Sequence, residues 1–187
     1  MLDRVSLTAD LSLEAERVVV RFQIANDRDA DVYVVDRAFD VGPTGATVRR
    51  DHLSVRFEGE TAVLSSVLVL PDPSVAFASP PVFYATPVKP RATYRGNVSA
   101  RLPLRPDGWR TPRSAEGEVL ADKIAQGQCT RLRFELGVVP GTTGVAAPVL
   151  QVAGVEVVQL DVPGARKQAV LAVEWRNVNV RCITLAR

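Results

Sequence analysis

The chain has 187 residues, 47% of them apolar and 24% charged, an ordinary globular mix that excludes disorder and collagen-like repeats. A chain of this size buries roughly 70% of its unfolded surface, so it needs neither a metal nor a disulfide to fold. Lys+Arg 23 against Asp+Glu 21 is too small an excess to point to nucleic acid or an anionic membrane, and one histidine with two cysteines removes most catalytic and metal-site chemistry.

Period-2 alternation, the mark of half-buried strands, recurs along the chain. Val5, Leu7, Ala9, Leu11 and Leu13 alternate with Ser6, Thr8, Asp10 and Ser12. Val18, Val20, Phe22 and Ile24 form the apolar face of a second strand, which stops at the turn-forming cluster Asn26–Asp31. Val32–Val35 reads as a short buried strand, and Gly42-Pro43-Thr44-Gly45 breaks the chain again. Leu53, Val55 and Phe57 alternate with polar residues, Gly59-Glu60 is a tight connection, and Ala62–Leu70 is apolar on both faces, as in a central strand. The prolines at 71, 73, 80, 81, 87 and 90 belong in loops or at edges, because proline cannot donate to a sheet ladder. Val82–Ala85 is a short strand between them, and Tyr94–Leu104 alternates most cleanly of all.

These segments predict seven strands before Leu104, the size of an immunoglobulin-type sandwich. The buried Trp flanked by two Cys of antibody domains is absent, since Cys129, Cys182, Trp109 and Trp175 all lie later. The expectation is therefore an all-β, antiparallel, immunoglobulin-like β-sandwich over residues 1–104, with a C-terminal β-rich extension over 105–187. That extension opens with the polar linker Arg105–Gly117. A short helix is expected next, with Thr111 as cap, Pro112 in its first turn, and Val119, Leu120, Lys123 and Ile124 at helical spacing. Further strands follow over Arg131–Leu136, Val149–Val152 and Val155–Val162, packed on the same sandwich or forming a small second sheet. In the last strand the apolar residues occupy odd positions up to Trp175 and even ones from Val178. This change of parity predicts a β-bulge near Arg176-Asn177.

Candidate chemistry is sparse. His52 beside Asp51 is the sole histidine, and no Gly-x-Ser-x-Gly elbow marks a nucleophile. Asp27, Asp29 and Asp31 have the spacing of a calcium loop, but Val32 and Ala38 stand where it needs glycine and a bidentate glutamate. Phosphate-cradling glycine loops are absent, and no cofactor or metal is expected. Cys129 and Cys182 are read as reduced, half-buried thiols. Trp175, in phase with Val173, belongs to the core. Trp109, with Arg110 beside it, lies in the loop Arg105–Pro112 outside any alternating segment. A large aromatic on a loop suits an anchor for a partner or a sugar ring, because it buries area at little entropic cost; the other reading is that it folds back to plug the open end of the sandwich.

The sequence thus points to a non-enzymatic interaction or structural module that presents loops or edge strands to another protein, or to a second copy of itself. The binding residues expected are Trp109 and Arg110. The alternatives are a carbohydrate-binding module using Trp109, Tyr84 or Tyr94 and, behind it, a hydrolase with paired carboxylates. No apolar run reaches the ~18 residues of a membrane helix. The start Met1–Val5 lacks the basic and apolar regions of a secretory signal, so a cytoplasmic, bacterial-type protein is expected.

Overall fold

The computed structural model of the protein describes residues 2–42, 45–49, 53–70, 83–108, 113, 119–121, 124–142 and 147–185. Among these the strands are β1 (Val5–Leu13), β2 (Arg17–Asn26), β3 (Val32–Val35), β4 (Ala38–Gly42), β5 (Gly45–Arg49), β6 (Ser54–Glu58), β7 (Thr61–Ser66), β8 (Phe83–Val88) and β9 (Thr93–Arg101), followed by β10 (Ile124–Pro140), β11 (Val149–Val152), β12 (Val155–Leu160) and β13 (Ala169–Leu185). One short helix, α1 (Val162–Ala165), precedes the last strand and is capped by Asp161, whose Oδ1 accepts the Gly164 N–H at 2.7 Å. The fold is all-β. The Gly42–Gly45 break is the end of an additional hairpin, β4–β5.

A three-stranded sheet, β1-β2-β9, faces a larger one of order β11-β12-β8-β3-β10-β7-β6, with β13 on the remaining edge of β10. The alternation read in β1 and β2 has the expected cause: even-numbered Val18, Val20, Phe22 and Ile24 are buried against the larger sheet, while Arg17 and Arg21 face solvent. Opposite them β10 contributes Leu132, Phe134, Leu136 and Val138, all fully buried. The ring of Phe22 lies 5.8 Å from that of Phe134 and 6.1 Å from that of Tyr94, joining the two layers. Gly96 stands across from Phe22; a Cβ there would come within 2.4 Å of the Phe22 ring, so only glycine leaves the ring its place. Each such large side chain contributes about 2–3 kcal/mol by leaving water.

β10 is the spine of the larger sheet. Along one edge it pairs antiparallel with β13 from Ile124 to Val138. Along the other it pairs first with β7, in parallel, and then with β3, antiparallel. That crowding explains why β3 and β7 are buried on both faces and carry nearly continuous apolar runs. The β6–β7 hairpin turns at Gly59-Glu60 with Gly59 at φ 59°, as its sequence requires. The predicted bulge is also present: between Cys129 and Arg131 the β13 partner jumps from Val180 to Arg176, with Asn177 at φ 57°.

Four expectations are corrected. The clean strand from Tyr94 stops at Arg101, the Leu102–Pro103 peptide is cis, and Leu104 is fully buried in the main core, bridged to Cys182. Ile124, expected in a helical turn, opens β10 instead; residues 109–112, 114–118, 122 and 123 lie outside the described ones. Pro87 sits inside β8. It is tolerated because β12 pairs only with Phe83–Ala85 and β3 only with Thr86–Val88, so each half of β8 has a locally free edge for a residue without an N–H. Finally, Cys129 and Cys182 are joined in a disulfide with a Cα–Cα distance of 6.3 Å. The pairing of Gly127 with Cys182 and of Cys129 with Val180 makes the two cysteines diagonal neighbours on adjoining strands, a relation their spacing of 53 residues did not disclose.

Candidate functional site

The segment singled out in the sequence is preceded by a fixed root. Trp109 and Arg110 lie outside the described residues, but Asp107 and Gly108 are described. The Asp107 N–H donates to the Val55 carbonyl at 2.9 Å, and its Oδ1 accepts the Val55 N–H at 3.0 Å. Its other carboxylate oxygen accepts the Ser54 hydroxyl. Asp107 therefore occupies the outer edge of β6, satisfying backbone groups that an edge strand leaves open. Gly108, at φ 70°, then turns the chain towards Trp109.

Beside this root lies a groove of about 610 Å³, bounded by Arg37 and Phe39 after β3, Leu68 after β7, Tyr84 on β8, and the Ser54–Asp107 pair. The Phe39 and Tyr84 rings meet edge to face at 5.0 Å, a favourable aromatic geometry. Val69 and Leu70 continue from its wall, 78% and 37% exposed. The groove's serine hydroxyls already have acceptors: Ser66 donates to the Val35 carbonyl at 2.7 Å, and Ser65 donates to Glu135 at 2.9 Å.

Behind the groove sits a buried polar knot that the sequence reading missed. Asp36 is only 4% exposed, and it accepts from Thr86 Oγ1 at 2.6 Å, from the Tyr94 hydroxyl and from Arg37 at 3.2 Å. Arg37 Nη2 also donates to the Tyr94 oxygen at 2.9 Å. Burial, with the neighbouring Asp36 charge, pushes the Tyr94 hydroxyl up to about 12 against the opposing pull of Arg37. Buried charge is tolerable only when paired and hydrogen-bonded; here the pairing ties β9 of the small sheet to β3 and β8 of the large one. The available signal was an Asp-Arg pair placed directly after the wholly apolar run Val32–Val35.

On the outer face of the larger sheet, Arg56 and Arg133 alternate with Glu58 and Glu135. Arg56 reaches Glu135 at 2.8 Å and Glu58 at 3.1 Å; Arg133 reaches Glu58 at 2.7 Å and Glu135 at 3.1 Å. Burial pulls the Glu135 carboxyl upward, but hydrogen bonds from Arg56 and Ser65 and the charges of Arg56 and Arg133 outweigh it and hold it below its ordinary value.

The remaining candidates fall in separate places. Asp29 pairs with Arg91 at 2.6 Å and Asp31 with Lys89 at 3.2 Å, while Asn26 stitches their turn through bonds to the carbonyls of Ala30, Val88 and Lys89. Tyr94 faces the knot and Tyr84 meets Phe39, so the two present no common stacking plane. Trp175 is half-buried against the main core. Asp51 and His52 lie outside the described residues. No protein-family model matches this chain, and neither a curated protein nor a solved structure does.

Proposed function

We propose that the protein is a non-catalytic interaction module that holds a segment of another protein in the groove between Phe39, Leu68 and Tyr84, with Trp109 and Arg110, which follow Asp107–Gly108 in sequence, as further contact residues. One observation carries this reading: Asp107 pins the segment that leads to Trp109 at the mouth of an apolar groove whose serine hydroxyls are already paired. Such a groove gains by excluding water and loses little by desolvating those hydroxyls. The immunoglobulin-like description is kept at the level of architecture, two β layers with loops presented at the ends, and likeness of architecture alone names no partner. The disulfide supports an oxidising compartment over the cytoplasm. The carbohydrate alternative draws less support, because Tyr84 and Tyr94 are engaged with protein neighbours.

The test places a photo-crosslinking residue at Val69 and compares the adducts of the parent with those of Tyr84→Ala and Trp109→Ala. Each substitution should cost about 2 kcal/mol or more in partner affinity and remove the adducts, with little change in unfolding free energy. Adducts that persist unchanged in both variants would sink the proposal. So would a Trp109→Ala protein destabilised by about 3–5 kcal/mol, the cost of emptying a core site.

A further inference from the structure

β13 carries a long strand edge that no described strand pairs along most of its length. Its near edge pairs with β10. On its far edge the Leu104 N–H donates to the Arg181 carbonyl and the Ile183 N–H to the Leu104 carbonyl, each at 2.8 Å. From Val180 back to Ala169, no described strand pairs with that edge. Several of the other described sheet edges are blunted in the ways folded proteins use against unwanted pairing. Asp107 occupies that of β6, β11 is four residues long, and β9 carries Arg95 and Arg101. Ala169–Val173 has neither charge nor proline. Val170 is 49% exposed.

We infer that this edge pairs with the same edge of a second copy of the chain, antiparallel about a two-fold axis at Val173. The straight part of β13 ends at Arg176, because the bulge at Asn177 turns the strand. Centred on Val173, the register uses the whole run from Val170 to Arg176 and is complementary to itself. On the inner face, half-buried Leu171 meets Trp175 of the second copy and Val173 meets Val173. On the outer face, Ala172 meets Glu174 and Val170 meets Arg176, so no like charges stand opposite one another. A residue and its copy keep the same face about such an axis, which makes the contact isologous and closed. The large sheets of the two copies become one.

Sedimentation equilibrium from about 1 to about 100 µM should show the mass rising from 20.3 kDa towards twice that value. Ala172→Glu alters an exposed side chain and sets a second carboxylate against Glu174 in both symmetric positions; it should weaken the dimer about tenfold or more. Adding Glu174→Lys restores opposite charges in this register alone and should recover the dimer. Hydrogen exchange needs no variant: the amides of 170–176 should gain protection as concentration rises. A parent that stays at monomer mass, with no such gain, overturns the inference, whether or not another protein occupies the edge. An Ala172→Glu dimer as tight as the parent, or a double variant that stays monomeric, overturns the register.

Discussion

Reducing the Cys129–Cys182 bond should destabilise the protein without dismantling it. The bond closes a loop of 53 residues, and in the chain-entropy account a loop of that length removes about 14 cal/mol/K from the unfolded ensemble, or about 4 kcal/mol at 25 °C. The folded state loses little in exchange. Both sulfurs lie in the main core, each cysteine 5% exposed, and reduced thiols there pack as small apolar groups. The effect therefore resides in the unfolded chain, which expands when the loop opens. Urea unfolding followed by tryptophan fluorescence, with and without a phosphine reductant, should show a lower midpoint and a steeper slope after reduction. The thermal midpoint should fall by roughly 10 °C. Cys129→Ala/Cys182→Ala should reproduce the reduced protein. Denatured, unreduced protein should present no titratable thiol. Equal midpoints for oxidised protein and for protein shown by mass to be fully reduced would refute the reasoning.

Phe134→Ala should lower the unfolding free energy by about 3–5 kcal/mol, because the ring is fully buried against Phe22 where the two sheets meet; denaturant titration checks it, and a loss below about 1 kcal/mol would mean that the layers are not packed through β10. Glu135 titrates below its ordinary value in the fold, so the stability it contributes is complete above the ordinary glutamate range and is lost as pH falls through the folded value. Glu135→Gln should flatten the acid limb of a stability–pH profile, and an unchanged limb would show that the Arg56–Arg133 ladder does not hold this carboxylate.

The sequence was most readable where side chains alternate against a single core face. β1 matched its pattern from Val5 to Leu11 and lost it only at Leu13, which is exposed, β3 matched as a short apolar run, and the parity change in the last strand placed the bulge at Asn177. Its limits were set by non-local pairing. Nothing in Thr61–Ser66 distinguishes a parallel neighbour from an antiparallel one, and polar Ala125–Gln128 does not resemble the beginning of a 17-residue strand, because there β10 has β13 on one side only. The disulfide escaped for the same reason: two cysteines become neighbours only after β10 and β13 have paired. Of the site, the loop root at Asp107–Gly108 was visible as a break in alternation, whereas the Asp36 knot draws Thr86 and Tyr94 from β8 and β9, fifty or more residues further along the chain.

The central position of β10 has a consequence for how the protein comes to exist on the ribosome. β3 and β7 emerge well before β10, the strand that closes their open edge; the parallel contact of β7 with β10 spans about seventy residues, a separation that slows folding. During that interval Val32–Val35 and Ala62–Leu64, fully sheltered in the finished fold, stand exposed as sticky segments. β1 and β2 can form their hairpin at once, but it has no large sheet to cover. Completion waits on β13, translated after all the other described strands.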